Sequence, residues 1–370
     1  MKVALIHDYL HTFGGAEQVL LVLTELYPQA TIYTFIKNLS HFPVDVKERF
    51  ENKMVISSRF SKIPFHKFTS KLLVPFTKRW FENLDLSQYD LIISDGTIWS
   101  KGVKTNKNQK HIYYCHTPAR FLYNLPSESM NKKELFFLKP IIKKIEENLV
   151  VWDLQTSSNP DLIVANSVNT QNRVEKFWNK KSTVIYPPVN LLNFEKFAKT
   201  DDYYLVVSRL ESYKNVDKVV EVFNLLGWKL KIVGAGSEKV GLKMMANKNI
   251  EFLDAVTSLN LERLYVGAKG LILSASEEDF GITTIEASSV GTPVIAFRSG
   301  GFIETVVEGK NGIFYENNTV ESLLEAVKIF NEMKFDREVV LSVVKDKYTK
   351  QIFKNNFSSL VNSFDISKGM

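Results

Sequence analysis

Short apolar runs alternate with segments of helical spacing along this chain, and the alternation occurs twice. The first series starts at residues 3–6 and the second at residues 204–207. Short apolar runs that alternate with helical segments predict parallel strands covered by helices, and hence an α/β protein. The expected strands are residues 3–6, 31–36, 91–93, 111–114 and 162–164 in the first series, and 204–207, 229–233, 251–253, 270–273 and 294–297 in the second.

A pair of prolines separates the two series. Pro187-Pro188 cannot continue a helix or the interior of a central strand. A length of 370 residues also favours two domains over one. We therefore place a domain boundary between residues 187 and 188. From residue 339 to residue 364 the apolar spacing is helical, with few residues that break a helix, and we treat residues 339–370 as a separate terminal segment.

Composition excludes several classes of protein. The net charge of +6 indicates an anionic partner, such as nucleic acid, acidic lipid or a phosphorylated substrate. Cys115 is the single cysteine, so an intrachain disulfide and a cysteine metal cluster are excluded. The sequence contains no Asp-x-Asp pattern, and we expect no metal cofactor. Because no long apolar run or signal peptide is recognisable, we expect a cytoplasmic protein.

The segment from Glu278 to Glu286 combines two carboxylates with a tight Phe280-Gly281 turn. A predicted strand precedes the turn, and helical spacing follows it. This layout presents backbone N–H groups to an anion at the carboxyl edge of a parallel sheet. The carboxylates can also accept hydrogen bonds from sugar hydroxyls. We interpret the segment as a nucleotide-sugar site, with a solvated acidic pair as the alternative.

Three other loops follow predicted strands. Arg209 and Lys214 lie five residues apart and can clamp a diphosphate, although isolated surface cations are more often solvated. Consecutive glycines Gly14 and Gly15 precede a helix and allow a phosphate to approach, or form an ordinary turn. Gly234 begins a G-x-G pattern that lacks the third glycine of a dinucleotide fingerprint, which predicts a turn near a nucleotide.

Two histidines occupy the ends of predicted strands. His116 follows the strand at residues 111–114, and His7 follows the first strand. Ligands of open α/β sheets bind at this edge, so both are candidates, although a single histidine is more often structural. Cys115 belongs to the strand context, and we expect it to be buried in the core rather than to act as a nucleophile.

Basic and large apolar residues are interleaved between residues 59 and 81. A segment of this kind suits the surface of an anionic membrane, and the alternative is a helix pair packed on its apolar side with solvated lysines. The sequence shows no motif that is typical of nucleic-acid-binding proteins, so we expect no nucleic-acid partner. The candidate membrane contacts are Arg59, Lys62, Lys67, Lys71, Lys78 and Arg79.

Together these motifs resemble glycosyltransferase family 4. The resemblance is carried by Ser208-Arg209-Leu210 with Lys214, by Val233-Gly234-Ala235-Gly236, by the segment from Glu278 to Glu286, and by Gly291-Thr292-Pro293. The amino-terminal half is similar to the mannosyltransferase-like branch that assembles bacterial O-antigen and capsule. The matching motifs there are His7-Asp8-Tyr9-Leu10 with Gly14-Gly15, Tyr114-Cys115-His116-Thr117-Pro118, and Tyr186-Pro187-Pro188-Val189.

The resemblance implies the GT-B fold, in which two Rossmann-like domains face a central cleft and a carboxyl-terminal helix crosses back to the amino-terminal domain. It implies an acceptor-binding domain over residues 1–187, a nucleotide-sugar-binding domain over 188–338 and the returning helix over 339–370. It also implies a retaining hexosyltransferase, for which mannose from GDP-mannose is the best choice of donor. The acceptor would be a lipid-linked or surface-polysaccharide oligosaccharide, reached from the inner face of the cell membrane.

The resemblance further implies roles for single residues. Arg209 and Lys214 would bind the diphosphate and offset the charge of the leaving group, and Glu286 would accept from the ribose. The donor sugar would contact Glu278 and His116, which we take as catalytic candidates with the two cations. The remaining expected donor contacts are Gly14, Gly15, Gly234, Phe280, Gly281, Ile282 and Thr283.

Two positions depart from the common family form, which has Gly at Asp279 and Pro at Thr283. The extra charge of Asp279 affects the prediction of the donor's identity more than the prediction of the fold. Three alternatives stay open at this point: a nucleotide-sugar epimerase of the same fold, a non-catalytic protein that binds nucleotide sugars or glycans, and a nucleic-acid binder.

Overall fold

A computed structural model describes residues 1–40, 42–62, 73–126, 139–192, 201–254 and 256–366. The chain divides into two compact units. Unit 1 comprises the described residues within 1–124, 137–188 and 350–370, and unit 2 those within 125–136 and 189–349. The division at 188 and 189 follows the proline pair. Residues 339–349 group with unit 2, and the segment that returns to unit 1 starts at Lys350.

Unit 1 is built on a parallel sheet of seven strands in the order β3-β2-β1-β4-β5-β6-β7. The strands are β1 (Val3–Leu10), β2 (Thr31–Lys37), β3 (Val55–Ser57), β4 (Leu91–Gly96), β5 (Lys110–Cys115), β6 (Leu162–Ala165) and β7 (Thr183–Val184). The helices with described bounds are α1 (Gly15–Leu26), α2 (Val44–Glu51), α3 (Val74–Glu82), α4 (Lys139–Thr156) and α5 (Val168–Trp178).

Unit 2 repeats this arrangement with six parallel strands in the order β10-β9-β8-β11-β12-β13. The strands are β8 (Tyr204–Val207), β9 (Leu230–Val233), β10 (Ile250–Leu253), β11 (Gly270–Leu273), β12 (Val294–Phe297) and β13 (Gly312–Tyr315). The helices are α6 (Val216–Leu226), α7 (Lys239–Met245), α8 (Ser258–Gly267), α9 (Ile282–Ser289), α10 (Phe302–Thr305), α11 (Val320–Glu332) and α12 (Arg337–Lys345), and α13 (Lys350–Ile366) completes unit 1.

Both faces of each sheet are buried, as the apolar runs predict. On β1, Val3 and Leu5 face a core that also contains residues of α1 and α13, whereas Ala4 and Ile6 face a second core on the other side. Side chains of successive strand residues point to opposite faces, so a strand covered by helices on both sides needs a continuous apolar run. The α/β prediction and the two-sheet organisation are therefore confirmed.

Unit 1 contains a buried ion pair. The ammonium group of Lys101 contacts the carboxylate of Asp153, and neither side chain is exposed. The same carboxylate accepts hydrogen bonds from the Tyr123 hydroxyl at 2.6 Å and from Trp178 Nε1 at 2.7 Å. The ammonium also lies over the ring of Trp178, 5.0 Å from the ring centroid. The network connects the loop after β4 with α4 and α5.

The prediction of one continuous helix over residues 339–364 is wrong, because the structure has two helices there, α12 and α13. Tyr348 lies between them and is buried. Its backbone carbonyl accepts a hydrogen bond from Val189 N at 2.8 Å, and its ring packs edge-on against Phe280 at 5.5 Å. Contacts distant in sequence therefore hold this residue outside a helix, which the local apolar spacing could not show.

Helices long and apolar enough to cross a lipid bilayer do not occur in the part of the chain that the structure describes.

Candidate functional site

The strand order in each unit identifies where a ligand would bind. In an order of 3-2-1-4-5-6, the chain leaves the first and fourth strands in opposite directions, and a crevice opens at their carboxyl ends. In unit 2 this switch point lies between β8 and β11, which are hydrogen-bonded neighbours. In unit 1 it lies between β1 and β4. Each switch point carries charged residues.

In unit 2, the loops after β8 and β11 bring Lys214 and Glu278 together. Nζ of Lys214 lies 2.5 Å from Oε2 of Glu278, and both side chains are mostly buried. Lys214 ends a short 3-10 helix, Ser212–Lys214, and Ser274 at the end of β11 donates its hydroxyl to the Lys214 carbonyl at 2.7 Å. The two residues that the sequence assigns to diphosphate and sugar are thus direct neighbours.

Arg209 lies on the same loop as Lys214 and is exposed. Its guanidinium Nη2 donates a hydrogen bond to the hydroxyl of Tyr213 at 2.6 Å. Tyr213 is buried, so it gives the long arginine side chain a fixed contact near its end. The loop therefore presents two cations at the carboxyl end of β8, which is an arrangement suited to a phosphate anion.

Gly234 supports this loop from the end of β9. Its φ is +146°, and a Cβ atom there would lie 1.9 Å from the carbonyl oxygen of Ser208. Only glycine allows the two backbones to approach so closely. The Leu210 N–H also donates to the Ala235 carbonyl at 2.9 Å. The contacts give Gly234 a role in holding the Arg209 loop, and the predicted contact with the donor stays a prediction.

The turn before α9 adopts the conformation that the glycine predicts. Gly281 has a φ of +90° and precedes the first residue of the helix, Ile282. The first N–H groups of a helix have no partners within it, so those of Ile282 and Thr283 are available to an anion by position. The side chain of Phe280 is buried against Tyr348, so only its backbone suits the expected contact. Glu277 has a φ of +61°, a strained value for a residue other than glycine.

Glu286 lies one turn further along α9. Its Oε2 accepts a hydrogen bond from the Tyr265 hydroxyl at 2.7 Å. Burial raises the pKa of the Glu286 carboxyl above its usual range, and the hydrogen bond from Tyr265 lowers it in part. Tyr265 was not predicted, because it lies on α8 and no local pattern distinguishes it from other core aromatics.

In unit 1, the carboxylate of Asp95 lies between two histidines. Oδ1 is 2.5 Å from Nε2 of His116, and Oδ2 is 3.0 Å from Nδ1 of His7. Asp95 is fully buried at the end of β4, whereas His7 is 2% exposed and His116 12% exposed. The second nitrogen of His7 lies 3.6 Å from Oε1 of Glu17. The structure thus joins the two histidines that the sequence identified separately.

Charge in this cluster shifts its pKa values. Burial alone would lower the pKa of His7, but hydrogen bonds and charge interactions with Asp95 and Glu17 raise it to about 10. The carboxyl of Asp95 has a lowered pKa, although burial opposes the shift, because His116 and His7 stabilise its charged form. His7 is therefore a buried cation held between carboxylates at neutral pH.

The glycine turn of unit 1 is connected to this cluster. Gly14 precedes α1, and its N–H donates to Oε2 of Glu17 at 2.9 Å. Gly14 is exposed, and Gly15 is partly so. Asp8 has a structural role. Its carboxylate accepts hydrogen bonds from the backbone N–H groups of four residues in the turn after β4, and it fixes that turn. Cys115 is buried, which confirms the core interpretation.

Asp95, Glu17 and Asp8 were not predicted as site residues. A signal for Asp95 exists, because it follows the apolar run at residues 91–93, and β4 neighbours β1 in a Rossmann order. A position at the end of a predicted strand identifies His7 and His116, and the same criterion would identify Asp95. Glu17 is visible only as the third residue after Gly14, which is the spacing of a capping carboxylate.

The basic segment is only partly described. Arg59, Lys62 and Arg79 are exposed. Lys78 is partly buried, and its ammonium lies 5.7 Å from the centroid of the Trp152 ring. Lys67 and Lys71 lie outside the described residues. Helix α3 buries Thr77 and Phe81, so at least this part of the segment packs against the protein. Its membrane contact stays a prediction.

Within the described ranges, no group of three or more His, Cys, Asp or Glu side chains is arranged to hold a metal ion.

Comparison with known proteins agrees with the fold. Residues 190–355 match the family model described as glycosyl transferases group 1. A glycosyltransferase of Haemophilus influenzae is 27% identical, over 85% of this chain and 86% of that protein. The alpha-1,3/1,6-mannosyltransferase ALG2 of Dictyostelium discoideum is 25% identical, over 74% of this chain and 75% of that protein.

Solved structures share the fold. Sucrose-phosphate synthase of Thermosynechococcus elongatus superimposes with a TM-score of 0.74 at 15% identity, over 99% of this chain and 100% of that chain. Anabaena HepE, crystallised in complex with UDP, gives 0.71 at 15% identity, over 98% of this chain and 100% of that chain. The family model, the mannosyltransferase relatives and the solved structures together support a glycosyltransferase of the GT-B type.

Proposed function

We propose that this glycosyltransferase is a retaining hexosyltransferase that moves mannose from GDP-mannose onto a lipid-linked or surface-polysaccharide oligosaccharide. The observation that carries the proposal is the contact between Lys214 and Glu278 at the switch point of unit 2. A cation for the diphosphate and a carboxylate for sugar hydroxyls lie side by side there. Arg209 on the same loop adds a second cation for the phosphates.

The choice of mannose is supported by the relatives. The ALG2 proteins of Dictyostelium discoideum, Saccharomyces cerevisiae and Rhizomucor pusillus are named alpha-1,3/1,6-mannosyltransferases, at 25–26% identity. A second donor class is favoured by a different observation, because Anabaena HepE was crystallised with UDP-glucose. We therefore rank a UDP-hexose second, and the experiment below separates the two.

The chemistry follows from the charges. The acceptor oxygen forms a bond to the anomeric carbon, and the bond from that carbon to the diphosphate oxygen breaks. Negative charge develops on the leaving diphosphate, where Arg209, Lys214 and the N–H groups at the start of α9 stabilise it. For retention, the acceptor enters on the face that the diphosphate leaves, and its proton passes to the leaving phosphate oxygen. Glu286 would accept from the ribose hydroxyls.

We assign the residues of unit 1 to the same reaction. His116 would contact a hydroxyl of the donor sugar, and the exposed turn at Gly14 and Gly15 would approach the donor through its backbone. We also propose that the reaction is independent of a metal, because side-chain cations can offset the charge of the leaving group. Undiminished transfer after treatment with EDTA would support this part, and restoration by Mg²⁺ or Mn²⁺ after a loss would overturn it.

A position at the inner face of the cytoplasmic membrane is part of the proposal. Exposed cations at Arg59, Lys62 and Arg79 accompany Phe76, whose side chain is 53% exposed. Cations next to an exposed aromatic ring suit an anionic lipid surface. Co-sedimentation with vesicles containing anionic lipid should fall when Lys62 and Arg79 are replaced by Glu, and binding that is equal to neutral and anionic vesicles would contradict the proposal.

The main experiment combines binding and transfer. Thermal shifts with GDP, UDP, ADP and dTDP and their sugar conjugates identify the nucleotide, because a ligand that binds only the folded state raises apparent stability. Transfer from the selected donor to extracted lipid-linked oligosaccharide follows. Selection of GDP-mannose supports the proposal, selection of a UDP-hexose supports the second class, and no shift with a folded protein overturns both.

Variants decide between a transferase and its rivals. Arg209→Gln and Lys214→Met should abolish most of the transfer while the protein stays folded. Lys269→Met is the matched control, since Lys269 pairs with Asp202 at 2.9 Å at the amino end of β11, away from the switch point. Binding without transfer would favour a non-catalytic protein. Conversion of the donor sugar without any acceptor would indicate an epimerase.

A further inference from the structure

The buried cluster of unit 1 contains more residues than a sugar contact needs. A continuous series of polar contacts runs from the backbone N–H of Gly14 through Glu17, His7 and Asp95 to His116. The contacts measure 2.9 Å, 3.6 Å, 3.0 Å and 2.5 Å in that order. The series begins at an exposed turn and ends at a partly exposed imidazole, so its two ends are accessible and its middle is not.

The middle of the series is costly to bury. Asp95 is fully buried, and an ionised carboxylate in that position needs charged or hydrogen-bonding partners. It has one imidazole on each oxygen, and His7 in turn has a carboxylate on each nitrogen. Apolar side chains would fill this part of the core at lower cost, and they do so on the neighbouring residues Ile6 and Ile93. A role beyond packing accounts for charged groups here.

The geometry fixes the orientation of His116. Asp95 can only accept at neutral pH, so a hydrogen bond with Nε2 requires a proton on that nitrogen of His116. Nδ1 is then the nitrogen left for a different contact. The backbone of His116 is also held, because its N–H donates to the Gly96 carbonyl at 3.1 Å and its carbonyl accepts from the Thr170 hydroxyl at 3.0 Å.

His7 supports Asp95 from the other side. Oδ2 of Asp95 faces His7, so only Oδ1 is directed at His116. Without His7, the carboxylate loses the cation that keeps it charged and that fixes its rotation. Glu17 performs the corresponding task for His7, and its second oxygen ties the cluster to the turn at Gly14.

We infer that His7 and Asp95 are positioning residues that hold His116 with Nε2–H on the carboxylate, and that Glu17 couples this arrangement to the glycine turn. The inference rests on the proposed function, in which His116 contacts the donor sugar. Its direct content is the protonation and orientation of His116, which can be measured without any assay of transfer.

The first test is NMR of the protein labelled with ¹⁵N at histidine, assigned by comparison with His116→Gln. We expect His116 to carry a proton on Nε2, and we expect its ring shifts to move in Asp95→Asn and in His7→Gln. A neutral His116 protonated on Nδ1 alone, or ring shifts that ignore both substitutions, overturns the inference even if the enzyme transfers sugar normally.

The second test is a double-mutant cycle on transfer. His7→Gln and Asp95→Asn should lower kcat/KM on the order of 10- to 100-fold, as when partners that orient a ligating imidazole are removed. In a His116→Ala background the same substitutions should have little further effect, since they act through the missing ring. Equal losses in both backgrounds would indicate a merely structural role.

His111→Gln is the matched control for both tests. His111 is equally buried and lies on β5, but near its amino end, where Nε2 is 2.6 Å from the Ser94 hydroxyl. Burial lowers its pKa to about 4, so it is neutral. Turnover per folded molecule should be unchanged in this variant, and a loss like that of His7→Gln would contradict the inference. If wild-type protein neither binds a nucleotide nor transfers sugar, the proposed function fails, while the NMR test still decides the positioning of His116.

Discussion

The ammonium nitrogen of Lys214 lies 2.5 Å from Oε2 of Glu278, so two residues expected to bind different parts of the donor neutralise each other in the structure. A diphosphate that binds Lys214 must compete with this carboxylate. We expect Glu278→Gln to tighten the binding of the nucleoside diphosphate without its sugar about two- to fivefold, the range for a partly exposed ion pair. Isothermal titration calorimetry measures the effect.

Lys214→Met should have the opposite effect on the affinity for the nucleoside diphosphate in the same titration. Loss of a charge-assisted contact to phosphate should weaken binding about 10- to 100-fold. Transfer should fall in both variants, because the proposed function assigns Lys214 to the diphosphate and Glu278 to the donor sugar. Weaker binding of the nucleoside diphosphate to Glu278→Gln would show that the carboxylate positions Lys214 rather than competing for it.

Gly234→Ala should damage both stability and nucleotide binding. The added Cβ would lie 1.9 Å from the Ser208 carbonyl oxygen at a φ of +146°, so the loop that carries Arg209 must move. Thermal unfolding should show a loss on the order of 1–3 kcal/mol from the strained backbone. Gly241→Ala on α7 is the control, since a Cβ there meets no atom within 4 Å. This variant should be more stable than wild type by about 0.5–1 kcal/mol, because alanine favours a helix over glycine. Equal behaviour of the two variants would contradict the prediction.

Lys101→Met should be strongly destabilising. The substitution leaves the Asp153 carboxylate buried without its cation, and loss of one partner of a buried pair costs about 3–5 kcal/mol. Urea denaturation measures the loss. The double variant Lys101→Met with Asp153→Asn should recover part of it, because the amide oxygen still accepts from Tyr123 and Trp178. A single variant as stable as wild type would mean that water reaches the carboxylate.

The buried charge of His7 should make stability depend on pH in the alkaline range. Its pKa is raised to about 10 in the folded protein, against 6.5 for an unperturbed histidine. A group with a raised pKa stabilises the folded state fully below 6.5, and the contribution is lost as the pH rises toward 10. The groups that face His7 are the carboxylates of Asp95 and Glu17, and the pKa of Asp95 is lowered, so Asp95 stays ionised over this window.

The free energy of unfolding of wild type, minus that of His7→Gln, should therefore decrease steadily between pH 6.5 and pH 10. Denaturation in urea at several pH values checks this, and the difference cancels the titrations that both proteins share. A constant difference would show that His7 is neutral in the folded protein.

Much of the fold could be predicted because strands buried on both faces leave a direct signal in the sequence. The run at residues 270–273 and strand β11 coincide, as do 204–207 and β8. Three strands were missed, β3, β7 and β13. The first two are only three and two residues long, and too few residues are present to establish a pattern. The predicted strand at residues 3–6 was also too short, since β1 continues through the polar residues His7 and Asp8 to Leu10.

The candidate site was predictable where its residues follow a strand and precede a helix. Lys214 and Glu278 meet because β8 and β11 are neighbours, and the motif positions anticipated both residues. Tyr265, which holds Glu286, could not be found in this way because it reaches the site from α8. The roles of these residues in binding the donor stay predictions that the variants above address.

The sequence by itself determined the α/β class, the two units and the strand ends at which charged residues collect, because apolar periodicity and glycine turns act over a few neighbouring residues. Only the tertiary structure decided which charges meet. His7 and Asp95 are 88 residues apart, and Asp95 and His116 are 21 apart. They converge because β1, β4 and β5 are adjacent in the sheet, and the order of strands is set by packing over the whole unit rather than by any local pattern.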